Sequence, residues 1–224
     1  MWPILLSENW PGLFIFAYMN RKYTVIVFDL GNVLIPFNYE IAFARLDGIK
    51  QGLGGQYRSF LKDNYHLHRA HESGQMSDDE FITLHLTALE NLLDRETFCR
   101  IYSEIFTVNE ATTELLSALS RKYRLMLLSN TNAIHKKYGW EHYPWLGNFE
   151  KLFLSHEVKA VKPQPEIYNA VTAYTKAPAS EHIFIDDIAE YVEGAKKCGW
   201  DGIQYLSHEY VVKELEARGI LPLN

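Results

Sequence analysis

YTVIVFDLGNVL, at residues 23–34, is the stretch that decides the fold of this chain. Its first six residues are β-branched or aromatic, which is typical of a strand buried on both faces of a sheet. The polar Asp29 follows directly and precedes a Gly-Asn turn. Two further apolar runs end in polar residues in the same way, LMLLSNTN at 125–132 and HIFIDD at 182–187. Such runs are typical of buried parallel strands, and ligands of open α/β sheets bind outside the carboxyl ends of those strands.

Strands and helices alternate along the rest of the chain. We predict five strands, at residues 23–28, 124–128, 151–154, 182–185 and 202–206. Helix boundaries are predicted by caps at Ser77, Asn109 and Ser207, by Pro165 at a helix start, and by stops at Gly199 and Gly219. From residue 39 to residue 106 the pattern is helical and contains no convincing strand. The fold class that follows is α/β, with a doubly wound parallel sheet covered on both faces and one long helical insertion after the first strand.

Composition and charge narrow the class of protein. The chain has 224 residues, 47% of them hydrophobic, and a net charge of −6, and its basic residues form no cluster beyond adjacent pairs. This charge pattern argues against a nucleic-acid partner. The apolar run at 13–19 is far shorter than the roughly 20 residues of a membrane-spanning helix, so we expect no membrane association. Cys99 and Cys198 form no CxxC pair, which favours a reduced, cytoplasmic compartment.

The first 22 residues are predicted to be an N-terminal extension. The first strand begins almost directly after Met19, so we expect Met19 to be the natural start and the residues before it to have no role in the site. The apolar run in this extension has no basic region ahead of it, which argues against a signal peptide.

Four separated fragments bring reactive side chains to the same end of the predicted sheet. Asp29, Ser129 and the pair Asp186 and Asp187 follow strands, and Lys162 lies in a loop before another helix. We therefore expect these side chains to converge. A carboxylate, a hydroxyl, a lysine and an acidic pair suit a phosphate group, and two adjacent acids at the end of a buried strand are costly without a cation nearby. The pattern predicts a phosphate site with a bound metal.

In order and spacing, these fragments resemble the four motifs of the haloacid dehalogenase (HAD) superfamily, over residues 23 to about 206. The matching residues are DLGNV at 29–33, LSNTN at 128–132 followed by His135, VKP at 161–163, and DD at 186–187 followed by EGA at 193–195. The residues of these motifs are most similar to those of the branch that contains α-D-glucose-1-phosphate phosphatases. The resemblance implies a Rossmann-like core formed by residues 23–38 and 107–224, with residues 39–106 as a small helical cap domain.

The resemblance also implies a role for each motif residue. Asp29 is expected to be the nucleophile that forms an aspartyl-phosphate, with Lys162 and Ser129 as its catalytic partners. The substrate and phosphate contacts are expected from Ser129, the backbone of Asn130, Lys162 and His135. The cofactor is expected to be Mg²⁺, and its ligands are expected to be Asp29, the carbonyl group of Gly31, and Asp187 with Asp186 in support. The implied substrate is a small phosphorylated metabolite, such as a sugar phosphate.

Some of these residue types have ordinary alternative explanations. Taken alone, Ser129 is equally typical of a turn, and His135 is equally typical of a surface histidine. In the helical insertion, His66, His68 and His71 invite interpretation as a metal site. Their spacing does not put all three on one helical face, so we expect a solvated helix instead.

Two positions depart from the superfamily pattern. Most HAD phosphatases carry an Asp two residues after the nucleophile, where it protonates the leaving group, but here that position is Gly31. General acid catalysis contributes roughly 10²–10⁴-fold, so its loss matters. Three consequences are open: an intrinsically good leaving group, a replacement acid such as His135 or a cap side chain, or weak catalysis. Tyr191 occupies the second position, where an Asn or Asp usually supports the metal site.

These departures keep two other functions open. A haloacid dehalogenase also lacks the second Asp, but its chemistry needs no metal, and the pair at 186–187 argues against it. A non-catalytic binding or regulatory protein would fit Gly31 and Tyr191. The intact Asp29, Lys162 and Asp187 argue against that function and favour a Mg²⁺-dependent phosphatase.

Overall fold

The computed structural model describes residues 22–222, and within them five parallel strands form one sheet in the order β3-β2-β1-β4-β5. The strands are β1 Val25–Phe28, β2 Arg124–Ser129, β3 Lys151–Leu154, β4 His182–Asp186 and β5 Asp201–Gln204. This arrangement confirms the predicted doubly wound α/β fold. Met19 and the rest of the predicted extension up to residue 21 lie outside the described residues.

The sheet changes direction beside β1. The chain runs from β1 to β2 and β3 on one side, and then returns to form β4 and β5 on the other side. Phe28 pairs with Ile185 in the register of β1 and β4, so the next residues of both strands, Asp29 and Asp186, leave the sheet at the same edge. This edge is the topological switch point, where ligands bind in doubly wound folds.

Helices cover both faces of the sheet and fill the insertion. The helices of the insertion are α1 Tyr39–Asp47, α2 Leu53–Asp63, α3 Tyr65–Glu72, α4 Asp78–Ala88 and α5 Arg95–Ser103. The later helices are α6 Glu110–Leu119, α7 Ala133–His135, α8 Ser155–Val158, α9 Pro165–Thr175, α10 Ala189–Lys197 and α11 His208–Ala217. A π-helical turn at Lys136–Trp140 continues α7, and 3₁₀ turns lie at Pro144–Asn148 and Ala179–Glu181.

Each part of the molecule has its own apolar core. Alternate residues of β1 belong to the two cores on opposite faces of the sheet, as the period of two in a strand requires. Helices α1 to α5 enclose a third core, which includes Phe43, Tyr57 and Tyr102. We call residues 39–106 the cap segment. Its two connections to the rest of the chain run side by side, joined by a hydrogen bond of 2.9 Å from the Asn38 amide to the Ile105 carbonyl.

Local sequence signals account for several helix ends. Ser77 and Glu80 form the predicted capping box at the start of α4. Asn109 is an exception, because it precedes α6 but its side chain makes no capping bond. Its amide instead donates to the Val33 carbonyl at 2.9 Å and to the Tyr205 hydroxyl at 2.7 Å. A tertiary contact has therefore replaced the local cap that the sequence predicts.

Candidate active site

Three carboxylates meet at the switch point of the sheet. Asp29 follows β1, Asp186 ends β4, and Asp187 follows it. One oxygen from each lies within 4.8 Å of the others, and no other group of three or more His, Cys, Asp or Glu side chains in residues 22–222 is arranged this way. Asp29 and Asp186 are buried and Asp187 is half-buried. Three like charges in one partly dry site repel one another, so the site needs positive charge.

Lys162 supplies part of that charge. Its Nζ lies 2.6 Å from Asp29 Oδ1 and 2.6 Å from Asp186 Oδ2, and its side chain is only 1% exposed. Burial alone would lower the pKa of Lys162, but the two carboxylates outweigh burial and raise it above its usual value. The lysine is therefore a fixed cation between two acids, and not a solvated loop residue.

Asn130 holds this lysine in place through the backbone. The amide group of Lys162 donates to Asn130 Oδ1 at 2.8 Å, and Asn130 Nδ2 donates to the Lys162 carbonyl at 3.1 Å. Asn130 follows β2 directly, so the pair of bonds ties the lysine loop to the neighbouring strand end. Ser129, the last residue of β2, is buried beside it and lines the same cavity.

One lysine does not balance three carboxylates. Burial raises the pKa of Asp29 to about 8, and Asp186 adds to the rise while Lys162 opposes it. Burial, and then Asp186, also raise the pKa of Asp187. An excess of negative charge, with several hard oxygen ligands, suits a divalent cation such as Mg²⁺. The donor set therefore fits the cofactor that the sequence predicts.

The two acids of the motif at 186–187 have different environments. Asp186 is fully buried, and its second oxygen accepts the Ile188 amide at 2.8 Å, so both of its oxygens are occupied. Asp187 lines the cavity, where its carboxylate accepts from Asn32 Nδ2 at 3.2 Å. The geometry thus favours Asp187 as the ligand that faces the cavity and Asp186 as the acid behind it. Asn32 was not among the site residues predicted from the sequence.

A cavity of about 270 Å³ opens above these residues. Its lining includes the predicted site residues Asp29, Gly31, Ser129, Asn130, His135, Lys162 and Asp187. The cap segment contributes Tyr39, Tyr65, His68, Arg69, Glu72, Ile105 and Phe106. Sequence reasoning did not predict these cap residues, because no motif marks them. The structure thus brings the predicted residues together under a roof that the cap segment forms.

His135 lies at the contact between the cap segment and the rest of the protein. It is buried and stacks on Tyr102 with the ring centroids 4.2 Å apart. Its Nε2 lies 3.3 Å from the Tyr39 hydroxyl and its Nδ1 lies 3.3 Å from Ser103 Oγ. Burial holds the pKa of His135 well below its usual value, so the ring is neutral. The structure thus excludes a surface position for His135, which the sequence analysis left open.

The histidines of α3 are not uniformly solvated, in contrast to what the spacing led us to expect. His66 is exposed, but His68 is half-buried and lines the cavity. His71 is buried, with its Nε2 2.7 Å from Asp78 Oδ1. His71 stacks on Phe81 of α4 with the ring centroids 4.1 Å apart, so packing between helices of the cap segment buries it, which the local pattern alone does not reveal.

The two departures from the motif pattern have structural counterparts. A Cβ atom placed on Gly31 would lie 3.4 Å from the ring of Phe37, so an aromatic side chain occupies the space beside this glycine. The ring of Tyr191 lies against Lys162, with Nζ 5.1 Å from its centroid. The Tyr191 hydroxyl accepts from Asn130 Nδ2 at 3.4 Å. Tyr191 thus contacts both the lysine and the asparagine that positions it.

The fold and the site together define a class: doubly wound α/β proteins with a carboxylate and lysine centre at the strand ends beneath a helical segment. The family described as "Hydrolase: haloacid dehalogenase-like hydrolase" matches residues 23–199. The chain therefore belongs to the haloacid dehalogenase-like hydrolases, as the four motifs imply.

Known relatives add detail to this assignment. A D-ribitol-5-phosphate phosphatase of Bacteroides thetaiotaomicron is 28% identical over 193 residues, which cover 80% of this chain and 90% of that protein. The crystal structure of a HAD family enzyme from the same species, in complex with magnesium and inorganic phosphate, is similar with a TM-score of 0.71 and 27% identity. That likeness covers 81% of this chain and 93% of the other.

A more distant likeness concerns the fold alone. The L-2-haloacid dehalogenase of Xanthobacter autotrophicus is similar with a TM-score of 0.58 and 18% identity, over 90% of this chain and 85% of that one. Separately, none of the helices in residues 22–222 has the length and apolar character needed to cross a membrane.

Proposed function

We propose that the protein is a Mg²⁺-dependent phosphatase of a small phosphorylated metabolite, with Asp29 as the nucleophile. The observation that carries this proposal is the position of Lys162, which lies 2.6 Å from both Asp29 and Asp186 beside a third carboxylate. The relative that hydrolyses D-ribitol 5-phosphate and the similar structure with magnesium and phosphate support it. A dehalogenase has no need of this third carboxylate.

The proposed reaction has two steps. An oxygen of Asp29 attacks phosphorus, a new P–O bond forms, the ester P–O bond breaks, and the leaving alcohol takes up a proton. Water then attacks phosphorus, the aspartyl P–O bond breaks, and orthophosphate leaves with Asp29 restored. Division into two displacements makes each barrier smaller than that of direct hydrolysis.

The other residues of the site have supporting roles in this proposal. Asp29, Asp187 and the Gly31 carbonyl would hold Mg²⁺, with Asp186 in support. Bound Mg²⁺ would neutralise charge, so that an anionic carboxylate can approach an anionic phosphate. Lys162, Ser129 and the Asn130 backbone would bind phosphate oxygens. The cap segment, as a separate domain, would exclude bulk water from the cavity and select the substrate.

The missing acid at Gly31 bears on the choice of substrate. A leaving group that departs readily, such as an anomeric sugar oxygen, needs little protonation. For other alcohols, a cavity side chain would have to donate the proton. His135 is a poor candidate for this acid. A buried neutral imidazole carries a single N–H, and both ring nitrogens of His135 already face partners within the protein.

A phosphate-release assay tests this proposal. The purified protein is assayed with p-nitrophenyl phosphate, glucose 1-phosphate and ribitol 5-phosphate, with Mg²⁺ and with EDTA. We expect release that requires Mg²⁺ and that Asp29→Asn lowers at least about 10³-fold, in the range known for removal of a nucleophile. Asp63→Asn, at an exposed position of α2, is the matched control and should retain full activity. Chloride release from haloacids without Mg²⁺, or no turnover by folded protein, would contradict the proposal.

A further inference from the structure

The roof of the cavity carries a charged pair on α3. Glu72 Oε2 accepts from Arg69 Nη1 at 3.1 Å, and Glu72 Oε1 lies 3.2 Å from His68 Nε2. All three side chains line the cavity above Asp29 and Asp187. The Glu72 side chain is only 10% exposed, whereas that of Arg69 is 30% exposed. Arg69 and Glu72 thus form an ion pair in the wall of the cavity.

Several features of its position disfavour a carboxylate at residue 72, although His68 and Arg69 pair with it. Glu72 is the last residue of α3, at the negative end of the helix dipole. It is buried, and it shares a cavity with two other carboxylates, those of Asp29 and Asp187. Each of these features costs free energy that a neutral side chain would not cost. A contact between Glu72 and a substrate bound in the cavity would explain why an acid is present at this position.

His68 fixes the orientation of this acid. Its Nδ1 lies 3.1 Å from the buried Tyr102 hydroxyl, and its Nε2 is bonded to Glu72. Both ring nitrogens are therefore occupied within the protein. His68 acts as a positioning residue, which leaves Arg69 and Glu72 as the groups with free hydrogen-bonding capacity.

Glu72 remains an acceptor. Burial opposes ionisation, but the bonds from His68 and Arg69 outweigh it and hold the pKa of Glu72 below its usual value. A carboxylate has about four lone-pair sites, and two are used here. Arg69 has five N–H donors, and its bond to Glu72 uses one of them. An acceptor and a donor side by side match a hydroxyl group, which both donates and accepts.

We propose that Arg69 and Glu72 recognise hydroxyl groups of the leaving alcohol, so that the preferred substrates are monophosphate esters of uncharged polyols. This inference rests on the proposed phosphatase function and assigns its specificity to two residues of the cap segment. The pair has no net charge, so it gives little attraction to a second anionic group. Glu72 offsets the attraction of Arg69 for such a group, so the pair does not favour substrates that carry a carboxylate or a second phosphate.

The test compares two esters that differ in their hydroxyl groups. The parameters kcat and KM are measured for ribitol 5-phosphate and for phenyl phosphate, with wild type, Glu72→Gln and Arg69→Met. We expect each substitution to lower kcat/KM for ribitol 5-phosphate by about 10- to 100-fold, the effect of one hydrogen bond to a charged group. For phenyl phosphate, we expect a change below about 3-fold, because it has no hydroxyl for the pair to bind.

Two controls separate recognition from structure. Glu90→Gln changes an exposed glutamate of the cap segment that pairs with Lys50, and it should change neither ester. With 3-phosphoglycerate, Glu72→Gln should raise kcat/KM relative to ribitol 5-phosphate, because a repelling charge is removed. An equal fall with both esters would indicate a structural role and overturn the inference, as would no change with either.

The outcome also separates this inference from the function on which it rests. If wild type releases phosphate with Mg²⁺ but neither substitution changes the ratio of kcat/KM for ribitol 5-phosphate to that for phenyl phosphate, the phosphatase proposal stands and the specificity inference fails. If wild type releases no phosphate from any ester with Mg²⁺, the phosphatase proposal itself fails.

Discussion

At the scale of single residues, Lys162 is the buried cation that offsets the negative charge of the acids in the site. It is buried between two buried carboxylates, and the pKa of Asp29 is raised even in its presence. A buried charge that loses its partner is far more costly than an exposed one. The lysine therefore contributes both to the stability of the fold and to the chemistry of the site.

Replacement of Lys162 should lower stability as well as activity. We expect Lys162→Met to lose phosphate release and to lower the free energy of unfolding by about 3–5 kcal/mol in EDTA. The stability loss should be larger at pH 8 than at pH 6, because the carboxyl groups can become neutral as the pH falls. Urea unfolding at both pH values measures this, with Lys197→Met, at an exposed position, as the control. Equal stability of Lys162→Met and wild type would contradict the account.

Gly31 offers a direct test of the missing general acid. We expect Gly31→Asp to raise kcat/KM for a poor leaving group, such as glycerol 3-phosphate, by at least about 10-fold relative to p-nitrophenyl phosphate. A Cβ on Gly31 would lie 3.4 Å from the exposed Phe37 ring, which is an ordinary van der Waals contact, so the backbone position accepts a side chain. Gly31→Asn has the same size but no carboxyl proton to donate. The same ratio of the two substrates for both variants would rule out general acid catalysis from this position.

Residues in motifs could be predicted from the sequence, and residues of the roof could not. Asp29 and Asp186 follow apolar runs, so their position at the strand ends follows from strand periodicity. Arg69 and Glu72 lie in a helix whose pattern gives no sign of what packs against it. Their place in the cavity depends on how the cap segment meets the strand ends, which is set by tertiary packing.

At the scale of elements, the cap segment buries several polar rings, among them those of Tyr57, His71 and His85. His85 on α4 lies within its core, with Nδ1 2.5 Å from the Tyr57 hydroxyl and no hydrogen-bond partner for Nε2 among residues 22–222. Burial, with smaller contributions from His68 and His71, lowers the pKa of His85 to about 3. The core of the cap segment thus contains a histidine that is neutral in the folded protein at neutral pH.

This histidine should make the cap segment sensitive to acid. The unfolded chain takes up a proton on His85 below its ordinary pKa of about 6.5, whereas the folded protein does so only near 3. Stability should therefore be complete above about pH 6.5 and decline as the pH falls toward 3, by several kcal/mol at most.

Urea unfolding of His85→Gln and wild type between pH 7 and pH 4 measures this effect. We expect a weaker dependence on pH for His85→Gln, because glutamine has no proton to gain. His66→Gln, at an exposed position of α3, is the matched control and should follow wild type. The same pH dependence for His85→Gln and wild type would show that another group is responsible.

Element boundaries illustrate where local signals suffice. Ser77 and Glu80 cap α4 as the sequence predicts, because both partners lie within one turn. The side chain of Asn109 instead bonds to Val33 and Tyr205, and this choice depends on residues distant in sequence. Local chemistry predicts a helix end well when no tertiary partner competes for the side chain.

At the scale of the whole molecule, the order of the strands determines where chemistry can occur. The reversal beside β1 brings the ends of β1 and β4 together, and the insertion after β1 lies directly above them. The α/β alternation in the sequence predicted the doubly wound parallel sheet and the convergence of its strand ends, but it did not predict the order of the strands. The shape of the cavity was not predictable, because it depends on contacts between two separately packed cores.

The most direct test of the central claim is the binding of beryllofluoride, which mimics a phosphoryl group on a carboxylate, measured by calorimetry with and without Mg²⁺. This measurement does not depend on the identity of the substrate. The account predicts that wild type binds about one beryllofluoride per chain only with Mg²⁺, and that Asp29→Asn binds none. Absence of binding to folded wild type with Mg²⁺, or equal binding by Asp29→Asn, would contradict it.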